Sequence, residues 1–154
     1  MAKPVKKTYE TLRKKYKLPT YEELDSEFEV SEIEDEKFSL REVRKKVVEK
    51  LSDTTALVEQ TLQPDTNLAD LYESRVLDEA EKKRVFEVYK KLMAAIRRSS
   101  ELALESDEKA DAQFIKSFCA DWKKIKPEVL EFIRKLRESW EKDTDEGESA
   151  GYMG

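Results

Sequence analysis

Along most of the chain, apolar residues recur at intervals of three and four, which is the spacing of one face of an α-helix. Between positions 39 and 141 this spacing fills three long stretches, separated by Pro64 with its connector and by the pair Ser106-Asp107. No run of alternating apolar and polar residues is long enough to found a β-sheet. The pattern therefore predicts an all-α protein with three long helices.

The first long helix is predicted over residues 40–62. Ser39-Leu-Arg-Glu42 has the form of a capping box, and Pro64 stops the helix. Such a helix would be about 35 Å long at 1.5 Å per residue. Its apolar face consists of Leu40, Val43, Val47, Leu51, Val58 and Leu62.

The second and third long helices are predicted on either side of Ser106-Asp107. Asp78 is a favourable N-cap for the second helix, and the third runs to about Trp140, kinked or split at Pro127. The predicted face of the second helix is Val85, Tyr89, Leu92, Ile96 and Ala103; that of the third is Phe114, Phe118, Trp122, Ile125, Val129, Ile133, Leu136 and Trp140. Three amphipathic segments with short connections predict an antiparallel bundle over 39–141.

Residues 1–38 form a charged N-terminal arm, predicted as short helices or extended chain. Its first 17 residues hold seven basic side chains and one acid, whereas residues 21–36 hold nine acids and no base. Two interpretations carry equal weight: the arm packs on the bundle, or it becomes ordered on a partner protein. In the second interpretation the partner-binding residues are Tyr21, Leu24, Phe28, Val30 and Ile33. Phe28 and Val30, two apart, favour an extended stretch.

The composition predicts a small hydrophobic core and a highly charged surface. Charged residues make up 42% of the chain, and the three glycines all lie after position 146. Residues 142–154 are predicted to be a disordered acidic tail. The absence of an apolar run of membrane length and of a secretory signal leads us to expect a cytoplasmic protein with no membrane partner. Abundant Glu and Lys with few Asn, Gln and Cys is a composition typical of thermophiles.

Missing residue types exclude several classes of enzyme. Because the chain has no histidine, it holds no Ser-His-Asp or Cys-His pair and no His-ligated zinc. Because no glycine precedes Gly147, no phosphate-binding or dinucleotide-binding glycine loop is available. Cys119 is the single cysteine, and its apolar neighbours predict a small buried side chain. We expect no catalytic residues, no cofactor and no metal site.

One acidic cluster indicates a magnesium-dependent enzyme as an alternative function. It consists of Glu101, Glu105, Asp107, Glu108 and Asp111. The E-x-x-D spacing of Glu108 and Asp111 resembles the paired acidic motifs of the magnesium-binding all-α pyrophosphohydrolases. That resemblance covers these two residues alone and implies a magnesium-dependent nucleotide pyrophosphohydrolase. Acids at a helix N-terminus also have a purely structural role, since they stabilise it by about 0.3–1 kcal/mol each.

Clusters of basic residues point to a second alternative, an accessory nucleic-acid-binding protein. The candidate residues are Lys6, Lys7, Arg13, Lys14, Lys15, Lys123, Lys124 and Arg134. Against this alternative, the chain as a whole carries a net charge of −5, whereas nucleic-acid-binding domains are usually basic. We therefore expect a non-enzymatic interaction or scaffold module with an unidentified protein partner. Broad helix faces leave open whether copies of the chain also form a homo-oligomer.

Overall fold

A computed structural model of the chain describes residues 4–34 and 39–142. Within these residues the α-helices are α1 (Pro4–Tyr16), α2 (Tyr21–Phe28), α3 (Leu40–Leu62), α4 (Leu68–Ser74), α5 (Glu79–Glu105) and α6 (Glu108–Glu141), with a 3₁₀ turn at Val30–Glu32. The described residues form no β-strand. The predicted all-α fold with three long helices is confirmed. Apart from Lys142, the predicted acidic tail lies outside the described residues.

Local capping explains where several helices begin. The Thr20 side chain accepts a hydrogen bond from the Glu23 amide at the start of α2. At the start of α5, Asp78 and Glu81 form a complete capping box, which satisfies two amides that the helix itself leaves unpaired. Ser39 makes no such side-chain bond, so the capping box predicted for α3 is wrong. The Glu42 carboxylate lies 3.5 Å from Lys45 instead.

The three long helices pack together with α3 and α6 parallel to each other and α5 antiparallel to both. Near the start of α3, Arg44 bonds to Asp111 at the start of α6 and to Ser99 near the end of α5. At the other end of the bundle, Val58 of α3 packs with Phe132 and Leu136 of α6. The predicted antiparallel bundle is therefore the observed one.

The arm and the bundle share one hydrophobic core. Its largest cluster joins Tyr9, Leu24 and Phe28 of the arm to residues of all three long helices, among them Leu51 and Phe118. Phe28 ends α2, and Glu29 then adopts a left-handed conformation with φ of 56°. The extended stretch predicted at Phe28 and Val30 is therefore wrong, because the chain turns sharply there and continues as a 3₁₀ turn.

Pro127 lies inside α6, which continues through it without a break. Proline removes the amide that would bond to the carbonyl four residues earlier, here that of Lys123. Lys123 and Pro127 are both exposed, so this carbonyl lies on the water-facing side of the helix. The helix is therefore not split. None of the described helices combines the length and the apolar character needed to cross a bilayer.

Candidate functional site: an apolar groove with a basic rim

The five residues predicted to bind a partner are buried against the bundle. Tyr21, Leu24, Phe28, Val30 and Ile33 are each at most 7% exposed. The Phe28 ring lies 6.5 Å from that of Phe118 and 6.1 Å from that of Trp122. A partner would reach these five side chains only if the arm left the bundle, so their assignment to a partner stays a prediction.

The Glu27 side chain links α2 to α6 through two hydrogen bonds. Its carboxylate accepts hydrogen bonds from Lys126 Nζ at 2.6 Å and from Trp122 Nε1 at 2.9 Å. Burial opposes the charged form of Glu27, but the bonds from Lys126 and Trp122 outweigh burial and lower the pKa of the carboxyl. A second ion pair, between Glu32 and Lys46 of α3 at 2.9 Å, holds the other end of this segment.

A groove of about 490 Å³ runs between α2 and α6 beside this attachment. Leu24, Phe28 and Trp122 line it but are at most 5% exposed, so a ligand in the groove would reach little of their surface. Its remaining walls are Pro19, Glu23, Ser26, Glu27, Cys119, Lys123, Lys126, Pro127, Leu130 and Arg134. A concave apolar surface with a few charged groups at its edge is the usual form of a binding site.

The structure divides the eight basic candidates among separate surfaces. Lys123 and Arg134 line the α2–α6 groove, but Lys124 lies on the other side of α6, in a groove shared with α5.

The other five lie on α1. Lys6 pairs with Glu22 at 2.6 Å, Arg13 with Glu10 at 3.1 Å, and Lys15 lies 3.9 Å from Glu108. Lys7 and Lys14 are exposed. The candidates therefore form no single basic face, although such a face is the usual footprint of nucleic-acid binding.

The acidic candidates are engaged in contacts within the protein. Glu108 accepts a hydrogen bond from the Tyr16 hydroxyl at 2.8 Å, and Asp107 caps α6 through the Lys109 amide. Glu101 and Glu105 both pair with Arg98. Across residues 4–34 and 39–142, no group of three or more potential ligands is arranged to hold a metal ion.

Asp111 is the buried partner of Arg44 and takes part in a network that joins the three long helices. The Arg44 and Asp111 side chains are 4% and 7% exposed, and their charged atoms are 2.8 Å apart. Arg44 also bonds to the carbonyl and hydroxyl of Ser99. Burial raises the pKa of Asp111, and the opposing effect of Arg44 does not outweigh it. This environment gives Asp111 a structural role that the E-x-x-D spacing did not indicate.

Cys119 lines the groove as a half-buried thiol. Burial raises its pKa to about 12. The thiol therefore stays protonated at neutral pH, and because the thiolate is the reactive form, Cys119 acts here as apolar surface.

The groove itself was not predictable from the sequence, since Glu27 and Trp122 lie 95 positions apart. The sequence did indicate Ser99, because this polar residue interrupts an apolar helix face. The structure explains the interruption, since Ser99 accepts hydrogen bonds from Arg44. Comparison of the chain with protein-family models, curated proteins and solved structures found no match.

Proposed function

We propose that this protein is a non-enzymatic interaction module, and that the groove between α2 and α6 binds a short segment of a partner protein. The observation that supports the proposal is the pairing of accessible apolar surface at Pro127 and Leu130 with the cations Lys123 and Arg134 in one concave site. Within the described part of the chain, the lining of this site includes members of two sets of candidates indicated by the sequence, the partner-binding residues and the basic residues.

The groove favours a ligand with one apolar side chain and a neighbouring carboxylate. Burying a leucine-sized side chain contributes about 1.5–3 kcal/mol. An exposed ion pair with Lys123 or Arg134 adds at most about 1 kcal/mol. Apolar contact therefore provides most of the affinity, and the charges favour acidic ligands over basic ones. A single small groove of this kind predicts a weak, reversible complex.

Nucleic-acid binding and magnesium-dependent hydrolysis have less support. The basic candidates lie on separate surfaces, and Asp111 of the E-x-x-D pair is buried against Arg44. A magnesium ion at that pair would have to displace a guanidinium from a carboxylate that is 7% exposed. Removing one partner from such a buried pair typically costs about 3–5 kcal/mol.

An affinity capture with matched variants tests the proposal. The full-length protein, Leu130→Glu and Leu104→Glu would each serve as bait in a lysate of the source cells, with and without nuclease. Leu130 lines the groove and is 37% exposed, whereas Leu104 on α5 is 89% exposed and serves as the control. We expect a nuclease-resistant protein that the wild type and Leu104→Glu retain and Leu130→Glu loses.

Three results would contradict the proposal. Capture that disappears with nuclease would favour the nucleic-acid alternative. Capture that is unchanged by Leu130→Glu, or no specific capture at all, would show that the groove is not the binding site.

A further inference from the structure

Within residues 4–34 and 39–142, one face of α6 stays uncovered beyond the groove. Leu130, Ile133 and Trp140 are 37%, 37% and 50% exposed. Ile133 follows Leu130 by three residues and Trp140 follows it by ten, which places all three on the same side of the helix. Most of the large apolar residues of α6 are buried instead: Phe114, Ile115, Phe118, Trp122, Ile125, Val129, Phe132 and Leu136.

This exposed face is bounded by the arm at one end and by α4 at the other. α2 contacts α6 as far as Lys126. At the far end, the Tyr72 ring of α4 lies 4.2 Å from the Trp140 ring in a tilted arrangement, and the Tyr72 hydroxyl donates to the Ser139 carbonyl. From Lys123 to Trp140 the surface extends about 26 Å along the helix axis. The α2–α6 groove is therefore the beginning of a longer apolar surface.

At the groove end of this surface, cations slightly outnumber acids, although the whole chain is acidic. The acids there are Glu23 and Glu27, and at the far end Glu73 accepts a hydrogen bond from Trp140 Nε1. Lys126 is paired with Glu27, and Arg137 is paired with Glu141 at 3.2 Å. Lys123 and Arg134 make no ion pair with the described residues. The two cations flank Leu130 at either side along the helix, so a ligand lying on the apolar residues would place its own charges beside them.

We propose that this surface, from Lys123 to Trp140, binds an acidic amphipathic α-helix of a partner protein. The proposal rests on the function proposed above and specifies the partner. A helix of about 18 residues matches the length of the surface at 1.5 Å per residue. Its apolar residues at positions i, i+3 or i+4, and i+7 would lie over Leu130 and Ile133, which is the usual helix-in-groove mode. Its carboxylates would face Lys123 and Arg134.

Three designed peptides of about 18 residues test this with the purified full-length protein. The first carries leucine at helical spacing and glutamate elsewhere; the second replaces the glutamates with lysines; the third scrambles the leucines of the first. Fluorescence anisotropy of the labelled peptides gives the affinities. We expect the first peptide to bind at least about tenfold more tightly than either of the others, a difference of about 1.4 kcal/mol.

Variants of the protein locate the binding. Ile133→Glu should weaken the glutamate peptide about tenfold or more, and Leu104→Glu should leave it unchanged. Because Ile133 is only partly exposed, the exposed Arg134 provides a second variant without that risk to folding. Arg134→Glu should weaken the glutamate peptide and strengthen the lysine peptide. Circular dichroism would confirm that each variant keeps its helix content.

Several outcomes would overturn the partner assignment. These are failure of the glutamate peptide to bind, equal binding of the glutamate and lysine peptides, equal binding of the scrambled peptide, and binding insensitive to Arg134→Glu. Self-association of the protein that Ile133→Glu abolishes would assign the surface to a second copy of the chain. If the peptides fail while Leu130→Glu still abolishes capture from lysate, the groove proposal stands and the helical partner alone is rejected.

Discussion

At the scale of single residues, Arg44 and Asp111 show most directly how the bundle depends on one contact. Both side chains lie between helices and are almost fully removed from water. A buried charge is tolerated only when it is paired and hydrogen-bonded. Ser99 completes the pair by accepting further bonds from the guanidinium. The ion pair therefore fixes how α3, α5 and α6 are placed along one another.

The two partners of this pair should respond differently to removal. Asp111→Ala leaves a guanidinium that stays charged at every accessible pH, so we expect a loss of about 3–5 kcal/mol. The loss should be no smaller at pH 4 than at pH 7, because the raised pKa of Asp111 makes the wild type itself lose stability as pH rises. Arg44→Met leaves a carboxyl that can be protonated. The folded-state pKa of Asp111 is already raised by burial, and loss of the Arg44 charge would raise it further. A carboxyl whose pKa is raised in the folded protein makes the protein less stable as pH increases above the unfolded-state pKa of about 3.9. The loss should therefore be smaller at pH 4 than at pH 7.

Chemical denaturation at the two pH values measures both losses. Asp53→Ala, at an exposed position on α3, is the control and should change the free energy of unfolding by less than about 0.5 kcal/mol. The double variant Arg44→Met/Asp111→Leu should recover most of the stability, because it removes both charges together. An equal loss at pH 4 and pH 7 for Arg44→Met would contradict the role assigned to Asp111.

At the scale of elements, the attachment of α2 depends on the ionised form of Glu27. Its pKa is lowered in the folded protein, so the group contributes stability above its unfolded pKa of about 4.3 and loses that contribution as pH falls through the folded value. Glu27→Gln keeps an acceptor for Trp122 but loses the charge that Lys126 pairs with. We expect Glu27→Gln to be at most about 1 kcal/mol less stable than wild type at pH 7, and the difference to narrow as pH falls toward 3.

Urea denaturation of wild type and Glu27→Gln at pH 7 and near pH 3 measures this difference. Glu59→Gln, at an exposed position on α3, is the matched control and should show no such dependence. A difference between wild type and Glu27→Gln that persists undiminished near pH 3 would mean that the charge of Glu27 does not hold the arm.

Element boundaries were far more predictable from the sequence than the contacts between elements. Pro64 and the Asp78 cap act within a few residues of their own position, and α3 and α5 begin where the sequence places them. The orientation of α5 was less predictable. Its buried residues are Val88, Leu92, Ser99 and Leu102, of which only Leu92 belongs to the predicted face. Because α5 packs against both α3 and α6, it needs a broad contact surface. The spacing of apolar residues alone does not show which side of that surface contacts α3 and which contacts α6.

The candidate site was predictable only in its parts. The sequence marked Leu24 and Phe28 for their apolar spacing among acids, and Lys123 and Arg134 for their charge. Nothing local indicates that these two sets lie in one groove, since that depends on the arm folding back across α6. Direct binding of a partner to the five candidates that the sequence suggested would require the arm to be released, because in the folded chain each is at most 7% exposed: Tyr21, Leu24, Phe28, Val30 and Ile33.

At the scale of the whole molecule, the shared core predicts that arm and bundle unfold together. Tyr9 and Leu24 of the arm are at most 1% exposed, and each buried side chain of this size contributes on the order of 1.5–3 kcal/mol. In a Trp140→Phe background, the fluorescence of Trp122 reports the contact with the arm, and circular dichroism reports the helices. We expect the two urea unfolding curves to coincide, as a two-state transition requires.

A Trp122 transition that precedes loss of helix would contradict a single cooperative unit. It would also show that the arm separates from an intact bundle, which is the condition under which a partner could reach Tyr21 and its neighbours. Wild-type protein carrying both tryptophans provides the control for the Trp140→Phe background.

The buried pair between α3 and α6 also restricts the paths by which this chain can diverge. A lineage that replaces Arg44 or Asp111 alone passes through a protein weakened by several kcal/mol, a large part of the 5–15 kcal/mol that holds a typical domain folded. The two positions are therefore expected to change together or not at all. In related sequences, residues 44 and 111 should covary as a pair, with Arg opposite Asp or Glu, or with apolar residues at both positions.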